Sequence, residues 1–150
     1  MSIHIYSPII YIIFVKLLVL LPPCPESNIM KFIRIIHNVV LSLLSLLMLI
    51  TMTIGTYQAS KFTSLYNLLC LPFIDNELVK LSANLFLHSK YLEWGDTVFL
   101  HLSGKPISTL QYTHHMSTAF LMYVNMIDYI SPSMYIFVAT NCFVHIWMYW

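Results

Sequence analysis

One run of residues constrains this chain more than any other. Residues 35–60, IIHNVVLSLLSLLMLITMTIGTYQAS, contain no Asp, Glu, Lys or Arg over a length that can cross a bilayer. A spanning helix needs about 20 mainly apolar residues, because each rises about 1.5 Å through a hydrocarbon core of about 30 Å. Two further charge-free stretches, 106–127 and 129–150, meet the same requirement, parted by Asp128 and the turn signal Ser131-Pro132-Ser133. Composition agrees: 59% of the 150 residues are apolar and 9% are charged, against about 45–50% and about 25% in soluble domains. Too little polar surface exists to cover a water-soluble globule. The net charge of +1, without any basic block, excludes a nucleic-acid partner. Cys24, Cys70 and Cys142 are odd in number and far apart, so neither a disulfide framework nor a zinc spacing is visible.

The expected architecture is all-α, a polytopic membrane bundle of about five helices near 3–21, 33–56, 81–102, 108–127 and 133–150, with 1–150 as a single transmembrane domain. A signal peptide competes for residues 3–21, but no Lys or Arg precedes Ile9, and Leu-Pro-Pro-Cys-Pro is a poor cleavage site. The longest loop is expected within 57–80, with Leu65–Ile74 dipping into the interface. Lys31, Arg34 and Lys105 fall on one side of such a bundle and Lys61 and Lys80 on the other, which favours the first three as cytosolic.

The third span is the odd one, because Lys90, Glu93 and Asp96 lie in its middle with Thr97 next. An ionisable group inside a span costs about 2.5–3.5 kcal/mol on the insertion scale, which marks it as functional by default. Steps of three and four place these residues on one helical face, with Lys90 able to pair with Glu93 and Thr97 able to reach it. On the fourth span Gln111, His114 and His115 stand at i, i+3 and i+4. On the fifth, Asn141, His145 and Tyr149 repeat every four residues as a polar stripe. Each stripe alone could serve helix packing through an internal ion pair or interhelical hydrogen bonds. Three together, carrying acid, base and imidazole, suggest a buried reaction chamber, since imidazole suits nucleophilic or general-base work near neutral pH. His4, His37, His88 and His101 have no such partners in the sequence pattern and are expected to be interfacial or structural.

These residues match a known pattern. Lys90-Tyr-Leu-Glu93-Trp-Gly-Asp96-Thr97 resembles the KxxExxDT motif of the ELO family of membrane fatty-acid elongases, and Gln111-Tyr-Thr-His114-His115 stands where that family carries an HxxHH box. Asn141-Cys-Phe-Val-His145-Ile-Trp-Met148-Tyr149 resembles its NxxxHxxMY motif, and Lys31 and Arg34 resemble its basic loop. Order and spacing agree from about Ile9 to Trp150. The resemblance implies a 3-ketoacyl-CoA synthase of the endoplasmic reticulum membrane that condenses long-chain acyl-CoA with malonyl-CoA, releasing carbon dioxide and CoA. It needs no metal and no cofactor beyond these substrates. His114, His115 and His145 match the positions expected to take the acyl group or act as base. Lys90, Glu93, Asp96, Thr97, Gln111, Asn141 and Tyr149 match the positions expected to bind substrate. Membrane lipid, other elongation-cycle enzymes and an elongase homo-oligomer are the partners implied.

Two departures qualify that expectation. Gln111 replaces the first histidine of the box; it can hydrogen-bond but cannot shuttle a proton, and some family members carry glutamine there. The family has about seven spans, whereas this sequence reaches only the motif of the fifth, so a C-terminally incomplete product is expected. A non-catalytic fragment that binds lipid or a partner elongase is therefore an alternative. A di-iron desaturase or hydroxylase is a further one, although its iron would need several histidine boxes where this chain offers one.

Overall fold

The computed structural model describes residues 3–24, 27–60, 76–126 and 133–149. The expected interfacial dip at 65–74 and the turn at Asp128–Pro132 lie outside the described residues. A 3-10 turn, Ile3–Tyr6, leads into α1 (Ser7–Val19), followed by α2 (Asn28–Ser60), α3 (Glu77–Leu92), α4 (Trp94–Leu102), α5 (Thr109–Val124) and α6 (Ser133–Met148). The described residues contain no strand, so the chain is all-α.

Local chemistry sets where these helices begin and end. Pro8 sits in the first turn of α1, where its missing N–H has no intrahelical partner to lose. The Ser27 hydroxyl accepts from the Met30 N–H at 3.2 Å to open α2. Asn76 Oδ1 accepts from the Leu78 and Val79 N–H groups at 2.9 and 3.4 Å to open α3. Ser108 Oγ accepts from the Gln111 N–H at 3.1 Å to open α5. Gly104, at φ +69°, ends α4, with Lys105 N–H donating to Leu100 O and Gly104 N–H to His101 O. That paired closure needs a left-handed residue, which glycine adopts without strain.

Two features differ from the sequence expectation. Among the described residues, only α2, over Asn28–Ala59, is by itself long and apolar enough to cross a membrane; the apolar helices at 3–19 and 134–148 are shorter. The expected single helix over 81–102 is interrupted at Glu93, where the Asp96 N–H bonds to Glu93 O at 3.1 Å, three residues back. Gly95 next to this point weakens the local preference for regular helix.

The helices neighbour one another in the order α1, α5, α3, α2, α6. His101 Nε2 lies 2.8 Å from Leu21 O, and the Cys24 N–H donates to Leu102 O at 3.0 Å. The ends of α1 and α4 therefore lie together, near the start of α2. Successive segments alternate in direction, with α3 and α4 acting as one. Lys31, Arg34 and Lys105 consequently share one end and Lys80 lies at the other, the grouping expected from the sequence; Lys61 lies outside the described residues.

Along α2 the faces separate cleanly. Leu41, Ser45, Met48, Met52 and Thr56 are buried, while Leu43, Leu47, Ile50 and Ile54 point outward and are exposed. An apolar outer stripe suits lipid, and the inner stripe follows the 3.6-residue period. At the end away from the basic residues, Met48 and Met52 pack with Val79 and Phe86 of α3, Met122 of α5 and Val138 of α6. Here α2 and α3 approach closely: Ser82 Oγ donates to Met48 O at 2.8 Å, and a Cβ on Gly55 would fall 2.8 Å from the Val79 nitrogen.

Candidate functional site

The polar residues of α3, α4 and α6 meet as three rungs. Lys90 Nζ donates to Asn141 Oδ1 at 2.9 Å. One turn on, Glu93 Oε1 lies 3.4 Å from His145 Nδ1. One turn further, the Tyr149 hydroxyl donates to Asp96 Oδ2 at 2.5 Å. The periodicity explains the match, since steps of three on one helix and four on the other each return to the same face.

Glu93 is the centre of this arrangement. It is 1% exposed, and so is Lys90, whose ammonium donates to Glu93 Oε1 at 2.7 Å and lies 4.1 Å from the centre of the Phe86 ring. Such a pair survives burial because each charge has a partner and further hydrogen bonds. Glu93 Oε2 approaches His115 Nδ1 at 3.9 Å, and both atoms are buried without a hydrogen-bond partner among the described residues. One carboxylate thus faces the Nδ1 atoms of two imidazoles, from α5 and α6. A hydrogen held on each Nδ1 toward Glu93 leaves each Nε2 with a free lone pair.

Beside the rungs lies a cleft of about 850 Å³. Glu93, Asp96, Gln111, His114, His115 and His145 line it, Arg34 and Lys105 stand at the basic end, and Phe99, Leu110, Phe137 and Val144 supply apolar wall. Charge, imidazole and grease on one surface suit a ligand with an anionic part and a long apolar part.

A family model, ELO: GNS1/SUR4, matches residues 1–150. The chain belongs to the ELO family. It is 39% identical to fatty acid elongase A of Dictyostelium discoideum over 113 residues, 75% of this chain and 41% of that protein. It is 27% identical to fatty acid elongase sre1 of the same organism over 146 residues, 96% of this chain and 54% of the relative. The chain spans about half the length of these curated relatives. No solved structure matches it significantly.

In this ELO chain the structure brings Lys90, Glu93, Asp96, Gln111, His114, His115, Asn141, His145 and Tyr149 to one region. Thr97 departs from expectation. Its hydroxyl bonds Tyr11 at 2.9 Å and receives Gln111 Nε2 at 3.4 Å, so it faces α1 and not Glu93. The interruption at Glu93 and the approach of α1 redirect it. His4, His88 and His101, expected to be interfacial or structural, make structural contacts, His88 Nδ1 with Asn84 O one turn back at 2.7 Å, whereas for His4, His37 and His101 the partners lie on other segments. His4 Nδ1 lies 2.7 Å from the Tyr91 hydroxyl, His101 bonds Leu21 O, and His37 Nε2 lies 3.2 Å from Asp96 Oδ1. These partners are distant in sequence, so periodicity within one helix could not show them. For His37 a signal did exist, because an imidazole inside the charge-free run of 35–60 is itself an ionisable group within a span.

Among the described residues, Glu93, His114 and His145 each offer a ligand atom, all within 4.8 Å of one another, and could hold a metal ion. Lys90 argues against it, since its ammonium already neutralises Glu93 and would repel a second cation at that distance. A di-iron centre would also need more ligands than these three.

Proposed function

We propose that this chain carries the condensing site of a fatty-acid elongase, joining long-chain acyl-CoA to malonyl-CoA to give 3-oxoacyl-CoA, carbon dioxide and CoA. The observation that carries the reading is the placement of His115 and His145 around one buried carboxylate, beside a cleft with a basic end and apolar walls. One imidazole Nε2 attacks the acyl thioester; the new N–acyl bond replaces the C–S bond, and the CoA thiolate leaves with a proton. Malonyl-CoA then loses carbon dioxide, and the enolate so formed attacks the acyl carbon, forming the C–C bond and releasing the imidazole. The other imidazole serves in proton transfer. The Glu93 carboxylate, 3.4 Å from His145 Nδ1 and 3.9 Å from His115 Nδ1, favours a proton on those nitrogens by its charge, and Lys90 and Asn141 hold Glu93 and the adjacent face of α6 in place.

The same reading makes the protein a multi-pass resident of the endoplasmic reticulum membrane, with the basic end of the cleft facing the cytosol. It works beside the other enzymes of the elongation cycle or as an elongase homo-oligomer. The test is expression in membranes lacking other elongases, supplied with labelled malonyl-CoA and long-chain acyl-CoA. Labelled 3-oxoacyl-CoA is expected with the wild-type protein and not with His115→Ala. Folded protein that forms none overturns the proposal.

A further inference from the structure

We propose that His37 is a positioning residue of this site, acting on His145 through Asp96 and Tyr149. The inference deepens the condensation reading and rests on it. Three contacts link α2, α4 and α6 in series. His37 Nε2 lies 3.2 Å from Asp96 Oδ1, the other oxygen of that carboxylate accepts from Tyr149 at 2.5 Å, and the Tyr149 ring stands edge-on to His145 with centroids 5.3 Å apart. A carboxylate held by one oxygen alone rotates easily about its terminal torsion, which is broad and shallow. Partners on both oxygens fix its plane. Tyr149 needs that fixing, because it lies just beyond the last residue of α6, Met148.

The seat of the His37 ring is itself constrained. The ring lies against Gly95, where a Cβ would come within 2.7 Å of its Cε1, and packs edge-on to Phe99 at 5.2 Å. His37 and Asp96 are only 18% and 21% exposed at their side chains. Gly95 thus lets an imidazole from α2 reach the carboxylate on the next residue of α4. The position of the His145 ring is set in part from a helix that carries no residue of the three motifs.

Three variants in the membrane-embedded protein test this. His37→Ala should lower kcat about tenfold or more, since small misplacements at a reacting centre cost up to about 10²-fold, while KM for both substrates shifts less than about twofold. His37→Gln, whose amide nitrogen has similar reach, should restore most of the rate. Gly95→Ala keeps the imidazole but displaces it, and should reproduce the loss. A second readout does not depend on turnover: carbethoxylation of individual histidines by diethyl pyrocarbonate, followed by peptide mass spectrometry. Labelling of His145 should rise several-fold in His37→Ala and Gly95→Ala, stay at the wild-type level in His37→Gln, and leave His114 unchanged. Unchanged kcat per folded molecule, or unchanged His145 labelling, overturns the inference. If the wild-type protein forms no 3-oxoacyl-CoA, the condensation reading fails and the labelling alone decides the role of His37.

Discussion

The helices meet at two successive levels of the bundle, in different ways. Away from the basic residues, α2, α3, α5 and α6 close on Met48, Met52, Val79, Phe86, Met122 and Val138, an apolar cluster that Lys90 touches at the Phe86 ring. Toward the basic end, α3, α5 and α6 meet again through Lys90, Glu93, His115, Asn141 and His145. The first contact is held by shape and dispersion, which in lipid are what associates helices. The second is held by matched partners, and it tolerates an adjoining cleft because its strength does not depend on filling space. The difference shows why the chemistry sits where it does. A methionine-rich level can bend around small changes in volume, whereas an ion pair must keep its partners, and groups that keep partners can be aimed.

That contrast can be broken from either side. The largest effect is expected at the polar level without loss of fold: His115→Ala or His145→Ala should lower condensation by about 10²–10⁴-fold, the usual worth of a general base. The thermal transition of the purified protein should barely move. A comparable loss of folded protein would mean that these imidazoles hold the bundle together instead.

Next comes Lys90→Ala, which strands Glu93 as a buried unpaired charge and should destabilise the protein by about 3–5 kcal/mol. Thermal unfolding in detergent reads this directly. Lys90→Met combined with Glu93→Gln should regain most of the stability but no turnover, separating the cost of an orphaned charge from the function of a paired one.

At the apolar level the effects shrink. Gly55→Ala forces a Cβ to within 2.8 Å of the Val79 nitrogen. Pushing α2 from α3 in this way should cost about 1–3 kcal/mol, seen as a lower unfolding temperature. Met52→Leu, which nearly conserves volume, should cost less than about 1.5 kcal/mol and leave turnover unchanged. If Met52→Leu impaired catalysis while Gly55→Ala did not, the two levels could not be treated as separate.

Much of this was open to reading in the sequence, for a physical reason. Lipid makes each ionisable residue costly, so Lys90, Glu93, Asp96, His114, His115 and His145 stand out against an apolar background. The helical period then places Asn141, His145 and Tyr149 on one stripe, and the rungs follow. What could not be read depends on approach between helices remote in the chain. Thr97 turns to Tyr11 because α1 packs near α4, and His37 meets Asp96 because Gly95 leaves room for its ring. The interruption at Glu93 had only Gly95, two residues on, as a signal, since Leu92, Glu93 and Trp94 contain neither glycine nor proline.

That interruption has a consequence for pitch. The rungs advance by three residues on α3 and α4 but by four on α6, and in regular α-helix those steps rise about 4.5 Å and about 6 Å. Two undistorted helices would slip out of phase like mismatched rulers. Winding with i to i+3 bonds rises about 2 Å per residue and eclipses side chains three apart, so three such residues climb about 6 Å. The Asp96 N–H to Glu93 O bond supplies that winding between the second and third rungs, and the long Lys90 side chain bridges the first. The break works as a vernier, stretching one helix locally so that carboxylate, imidazole and phenol stay level with one another.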